Sequence, residues 1–162
     1  MASEIEGGCA CGKVRYRLSA RPMIVHGCHC RWCQRETGSA LAINALVETN
    51  HVDTLTGDPR AHDLPSESGN GQTIWRCPQC GVALWSHYAA LRTLLAFVRV
   101  GTLDDPDAFP PDLHIYTESK QPWLALPPDR PSFPGFYSRS ATWPPDSLAR
   151  YAALKTRAKA TP

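Results

Sequence analysis

Three cysteines, Cys28, Cys30 and Cys33, stand within six residues in "CHCRWC". Two further pairs, Cys9 and Cys11 in "CAC" and Cys77 and Cys80 in "CPQC", bring the total to seven. An odd count at gaps of one and two residues argues against a disulfide framework and for metal ligands in a reducing compartment. "CPQCG" ahead of a strand has the shape of a zinc knuckle, which supplies half of a tetrahedral site and needs a second pair. Cys9 and Cys11 are that pair. At alternate positions of an extended strand both sulfurs face one side. Cys9, Cys11, Cys77 and Cys80 are therefore expected around one closed, structural zinc.

Cys28, Cys30 and Cys33 then have only each other, and a tight turn would aim their sulfurs at a shared zinc. Three protein ligands leave an open position, the mark of a catalytic site. Other arrangements also fit the spacing: closure by His26 or His29, an iron–sulfur cluster with a borrowed ligand, or a dithiol pair within "CRWC". Three thiolates on Zn²⁺ leave a formal charge of −1, which blunts Lewis acidity and disfavours hydroxide generation. A soft anion suits the fourth position, so a substrate thiol would bind there as thiolate. Beside an aldehyde, such a thiolate is arranged for reversible carbon–sulfur addition.

The elements that must hold these residues read as short strands over the first 103 residues. "GKVRYRLSA" alternates apolar and charged positions, the pattern of a half-buried strand. "PMIVHG", "ALAINALVE", "TIWRC", "GVALWSHY" and "TLLAFVRVGTL" are further strands, separated by the turn signals "TGDP" and "SESGNG". Eleven of the fifteen prolines lie from Pro106 onward, where lost donors and fixed φ predict irregular chain wrapping over the sheet. One helix is predicted near 145–157, capped by Asp146 or Ser147, with Leu148, Tyr151 and Leu154 or Lys155 on one side. The 162 residues read as a single domain, with a core at about 5–125 and an extension at 126–162.

Composition excludes several classes. The chain is 43% hydrophobic and 20% charged with a formal net charge of +2, which disfavours nucleic acid and anionic membranes as partners. The opening "MASEIEGG" lacks a basic region followed by an apolar stretch, so no signal peptide is expected. No apolar run is long enough to span a bilayer. A cytoplasmic location is the expectation.

"GGCACGKVRY", "CHCRWCQRETGSA" and "WRCPQCGVALW", in that order, resemble the glutathione-dependent formaldehyde-activating family, whose domain is shared with centromere-protein-V-like proteins. "HIYTESKQPW" is similar to that family's H-I-x-x-x-S-K-x-x-W segment. The resemblance spans about residues 5–125. It implies a mostly β, antiparallel β-tent fold of zinc-ribbon-like type. It also implies two zincs: a structural one on Cys9, Cys11, Cys77 and Cys80, and a catalytic, labile one on Cys28, Cys30 and Cys33. The implied activity is that of a carbon–sulfur lyase, the condensation of glutathione with formaldehyde to S-(hydroxymethyl)glutathione.

Further roles follow for the neighbours of these motifs. Arg31 and Arg35 flank the trio and are candidates for glutathione carboxylates, against a reading as solvated surface arginines. Trp32 either covers the pocket or belongs to the core. Thr37, Gly38 and Ser39 would form a turn facing substrate. His114 and Lys120 are within reach from the later motif, which otherwise reads as packing with Trp123 buried and Lys120 at the surface. His51, His62 and His87 read as structural or exposed. The competing class is a zinc-stabilised binding module for a protein or nucleic-acid partner. A basic patch with exposed stacking aromatics would mark a nucleic-acid reader, but here arginines alternate with acids.

Overall fold

The computed structural model describes residues 4–160; residues 1–3 and 161–162 of the expected domain lie outside the described residues. Its strands are β1 (Ile5–Gly8), β2 (Arg15–Leu18), β3 (Ile24–Cys28), β4 (Ala42–Glu48), β5 (Val52–Thr56), β6 (Arg60–Leu64), β7 (Gln72–Arg76), β8 (Ala83–Tyr88), β9 (Leu95–Arg99) and β10 (Leu113–Ile115). The described residues form three α-helices, α1 (Arg31–Thr37), α2 (Arg139–Thr142) and α3 (Pro145–Ala160). No helix among the described residues is long and apolar enough to cross a membrane.

The protein is mostly β, in two sheets with a C-terminal helix. One sheet has the order β1-β2-β5 and the other β10-β3-β4-β9-β8-β7-β6. Every pairing between these strands is antiparallel except that of β10 with β3. Buried residues run almost unbroken along β3, β4 and β9, because the large sheet is covered on both faces.

The two faces carry two cores. Val25, Ala45, Val47, Ala96 and Val98 point toward Val14, Tyr16 and Leu18, filling the space toward the small sheet. One residue along, Ile24, Cys28, Ala42, Leu46 and Leu95 point the other way, toward Tyr137, Trp143 and Leu154 of the C-terminal region. The period-2 alternation of a strand thus sends Cys28, the first of the cysteine trio, to this second face.

"TGDP" and "SESGNG" fall between β5 and β6 and between β6 and β7. The short β1, β5, β6 and β10 were not legible as strands. β5 and β6 are mostly exposed and lack an apolar alternation, and β10 has only three residues. The C-terminal helix extends to Ala160, one turn past the predicted end. Ser147 lies inside its first turn, not at a cap, and donates its hydroxyl to the Met23 carbonyl at 2.6 Å. Arg150 holds the helix to β4 through a two-pronged ion pair with Glu48 and donates to the Arg21 carbonyl at 2.9 Å. Leu154 is buried, with Leu148 and Tyr151 half-buried beside it.

Candidate metal centres

Cys9, Cys11, Cys77 and Cys80 converge, with all four sulfurs within 4.8 Å of one another. Cys9 and Cys11 occupy a turn between β1 and β2, not the extended strand their spacing predicts. Gly12 takes φ of 73° and its N–H closes the turn on the Cys9 carbonyl at 3.1 Å. The Cys77–Cys80 turn is built alike: Gly81 takes φ of 75° and donates to the Cys77 carbonyl at 2.9 Å. A left-handed residue is needed at both places, and glycine adopts it without steric cost. One turn belongs to each sheet, so the tetrad ties the sheets together.

Sulfurs 2.3 Å from a tetrahedral zinc sit roughly 3.8 Å apart. The Cys9–Cys11 and Cys11–Cys77 sulfurs are separated by 3.5 and 3.7 Å. The Val14 N–H points at the Cys9 sulfur at 3.2 Å, as expected of an amide supporting a thiolate. The Cys80 thiol is pushed down to about 6, chiefly by the Val82 N–H. The donor set fits a closed Zn²⁺ site.

The trio is built differently. Cys28 ends β3, Cys30 caps α1, and Cys33 lies in the first turn of that helix. This replaces the predicted tight turn with a strand-to-helix junction. Cys30 is extended, and its sulfur accepts the Cys33 N–H at 3.3 Å, as an N-cap side chain does. All three are buried, and their sulfurs lie within 4.8 Å of one another. Among the described residues no histidine or carboxylate joins that cluster. The Cys30 thiol is pushed down to about 3 by hydrogen bonds from the Cys28 and Cys33 thiols. The same bond to Cys30 pushes Cys28 up. Cys33 is raised to about 12; its bond with Cys28 lowers it, but those with Cys30 and burial outweigh this. Three converging sulfurs at a helix N-terminus, one of them readily ionised, fit a soft divalent cation.

Neither neighbouring histidine turns to the trio. His29 is fully buried and bonds His114 of β10, Nε2 to Nδ1 at 2.9 Å. Burial, then the charge of His114, lowers its pKa to about 4. His26 lies 2.6 Å from the Tyr137 hydroxyl, which also accepts the Trp143 indole N–H. Burial, then Arg139, lowers His26 to about 3, so the neutral imidazole accepts from the phenol. Both histidines fix the chain around the cysteines. A buried cation lies on the same face of the sheet: Arg99 pairs with Asn44 across β4 and β9 and donates to its amide oxygen. Its charge draws the Cys33 pKa downward, and its Nε has no partner among the described residues.

The trio lies in the wall of a cavity of about 300 Å³. Trp32, which the sequence left between cover and core, is 37% exposed and lines it. Arg139 lines it too, with its guanidinium 4.9 Å from the Phe136 ring and 4.8 Å from the Tyr151 ring. It makes no ion pair among the described residues, and its buried Nε has no hydrogen-bond partner.

Several sequence candidates lie elsewhere. Arg35 is exposed in the last turn of α1, and Arg31 donates to Gln34 at 2.8 Å; neither lines the cavity. Thr37 ends α1, its hydroxyl donating to the Cys33 carbonyl at 2.8 Å, and Gly38 is the left-handed cap. The expectation for Trp123 and Lys120 is reversed. Trp123 is 73% exposed, whereas Lys120 is half-buried and donates to the carbonyls of Gln121 and Leu124. The ammonium satisfies the orphan carbonyls of that turn, which draws it inward and leaves the indole outside.

Residues 4–119 match the family model described as "Glutathione-dependent formaldehyde-activating enzyme". The chain belongs to this family. The glutathione-dependent formaldehyde-activating match contains all seven cysteines and ends before Phe136, Arg139 and Tyr151. A relative from Halomonas elongata, named "Putative glutathione-dependent formaldehyde-activating enzyme", is 27% identical over 131 residues, 75% of this chain and 80% of that protein. A Rhodobacter sphaeroides protein of known crystal structure is 16% identical with a TM-score of 0.48, over 79% of this chain and 98% of that one.

Proposed function

We propose that this protein adds a thiol, glutathione, reversibly to formaldehyde or a related aldehyde, giving S-(hydroxymethyl)glutathione in the one-carbon case. The carrying observation is the division of seven cysteines into a complete tetrad and a buried, incomplete trio that opens on a cavity. Cys28, Cys30 and Cys33 would hold the catalytic zinc, and Cys9, Cys11, Cys77 and Cys80 the structural one. Bound by three thiolates, zinc supplies a fourth position at which a soft thiol sulfur is held ionised near neutral pH.

The remaining work belongs to the chain. Arg99, buried behind Asn44, offsets the negative charge that the thiolates accumulate. Arg139 is a carboxylate partner for glutathione, because its guanidinium is fixed between two rings with no anion of its own. In the addition the thiol sulfur bonds to the carbonyl carbon, the C=O π pair moves to oxygen, and that oxygen gains the proton the thiol gave up. Tyr88 and Tyr116 line the cavity, and their hydroxyls have no protein partner among the described residues. Burial raises both pKa values, so each keeps its proton and can donate a hydrogen bond to the developing alkoxide. Arg35 and Arg31 remain outside this scheme.

The test is zinc content per chain together with the rate of hemithioacetal formation from glutathione and formaldehyde. Two zincs and a rate above the uncatalysed background are expected, with the rate lost in Cys30→Ser. A background rate at full zinc occupancy would leave a zinc-stabilised binding module as the reading.

A further inference from the structure

The cavity is larger and more apolar than a one-carbon aldehyde requires. Formaldehyde offers one carbon and no side chain, and glutathione is a polar peptide with two carboxylates and an ammonium. Polar residues line the cavity from the segment Ser66 to Gln72, between β6 and the start of β7, and singly from elsewhere as Asn44, Tyr88, Tyr116 and Arg139. Its floor is apolar: Leu46 of β4, Leu95 and Phe97 of β9, and Ile115 of β10. Phe136 and Tyr151 of the C-terminal region line the cavity as well. Both lie beyond the residues that match the family model, so this wall is a feature of this chain's own extension.

Arg139 apart, the floor and this wall offer nothing to the polar groups of glutathione, and they gain nothing from formaldehyde. They are suited to excluding water around a hydrocarbon substituent. The wall is also held in place: the Arg139 guanidinium lies between the Phe136 and Tyr151 rings, and Phe136 stacks on Tyr137 with centroids 4.8 Å apart. Tyr137 is tied in turn to His26 of β3 at 2.6 Å, the strand that ends in Cys28.

We propose that the cavity beside Cys28, Cys30 and Cys33 takes aldehydes bearing an apolar or aromatic substituent of several carbons, with Phe136 and Tyr151 setting that preference. This rests on the thiol-addition reading above and names its substrate class. Atoms balance as they do there: the thiol sulfur bonds the aldehyde carbon, the carbonyl oxygen gains the thiol proton, and no redox change occurs. The substituent lies against the floor, while the polar thiol extends along the 66–72 segment with a carboxylate on Arg139.

The experiment measures, on the zinc-loaded full chain, the acceleration of hemithioacetal formation over background for formaldehyde, butanal, hexanal and phenylacetaldehyde with glutathione. Acceleration is expected to rise by roughly four-fold per buried methylene until the cavity is filled. In Phe136→Ala, whose parent side chain is 45% exposed, the hexanal-to-formaldehyde ratio should fall by about ten-fold with far-ultraviolet circular dichroism unchanged. Ala90→Trp, on the exposed rim, should lower the same ratio by narrowing the entrance. Calorimetric titration with 2-phenylethanol, without thiol, supplies a readout independent of turnover. Acceleration of formaldehyde alone would overturn the substrate class and leave the thiol-addition reading standing. Binding of 2-phenylethanol by the parent but not by Phe136→Ala, with no aldehyde accelerated, would uphold the apolar ligand and overturn thiol addition. Absence of both acceleration and binding would overturn both.

Discussion

The two cysteine clusters invert a common intuition about exposure. The tetrad, complete in itself, has Cys11 and Cys80 exposed to solvent. The trio, which lacks a ligand, is buried on all three members. A closed site needs no protection, because its four thiolates satisfy the metal whatever surrounds it. On the proposed chemistry an incomplete site has to exclude water to choose its fourth ligand, which suits a cavity wall with Arg99 nearby. Exposure would then follow from the task proposed for each cluster, and the supporting elements differ as well: twin glycine turns for the tetrad, a strand-to-helix junction for the trio.

The largest expected effect separates the two clusters by stability. Structural zinc in small domains contributes on the order of 10 kcal/mol or more, comparable to the whole net stability of a domain. Cys77→Ser should therefore lose one zinc per chain and its cooperative melting transition. Cys30→Ser should lose one zinc and keep its far-ultraviolet circular dichroism. Equal melting behaviour of the two variants would remove the distinction between the clusters.

Catalysis should separate them in the opposite direction. Cys33→Ser is expected to fall to the uncatalysed rate, a loss of at least about 10²-fold, while melting within a few degrees of the parent. A chelator titration should follow the same order, with activity lost before ellipticity.

Arg139→Gln sharpens the substrate side of the trio. Losing a charge-assisted bond to a carboxylate costs about 1.5–3 kcal/mol, so KM for glutathione should rise at least about ten-fold with kcat little changed. The same variant with a thiol lacking carboxylates, such as 2-mercaptoethanol, should behave as the parent does.

The smallest effect concerns the C-terminal helix that roofs the cavity. Arg150→Ala should destabilise by about 1–2 kcal/mol through the partly buried Glu48 pair. Burial raises the Glu48 pKa, but Arg150 more than offsets it, and the net shift is downward. A depressed carboxylate contributes stability above its unfolded value and loses it as pH falls through the folded one. The parent's melting temperature should thus drop below about pH 4.5 more steeply than the variant's.

Much of the metal chemistry was legible because spacing alone constrains sulfur ligands. "CAC", "CHCRWC" and "CPQC" sort into a tetrad and a trio by their gaps, and the long buried strands show in apolar runs such as "ALAINALVE". The cavity was not legible. Its walls come from strands β4, β9 and β10, the 66–72 segment and the C-terminal extension, and no local pattern joins Leu46 to Phe136. Asn44 and Arg99 did leave a signal: one polar residue in "ALAINALVE" and one charge in "LLAFVRV", each inside an apolar run where a buried polar group needs a partner. Arg35 was favoured for its proximity in sequence to Cys33. A helix turns residues two apart by about 200°, however, so Arg35 faces away from the face that carries the sulfur.

The anchoring of the C-terminal helix has a wider consequence. Ser147 and Arg150 fasten it by one hydroxyl and one ion pair to Met23 and Glu48, at the ends of β3 and β4 remote from Cys28 and Ala42. These two anchors of the piece that shapes the chamber thus lie apart from the sulfurs that would grip a metal. On the proposed chemistry, changing that piece would give one centre new clients while its cysteines stay in place.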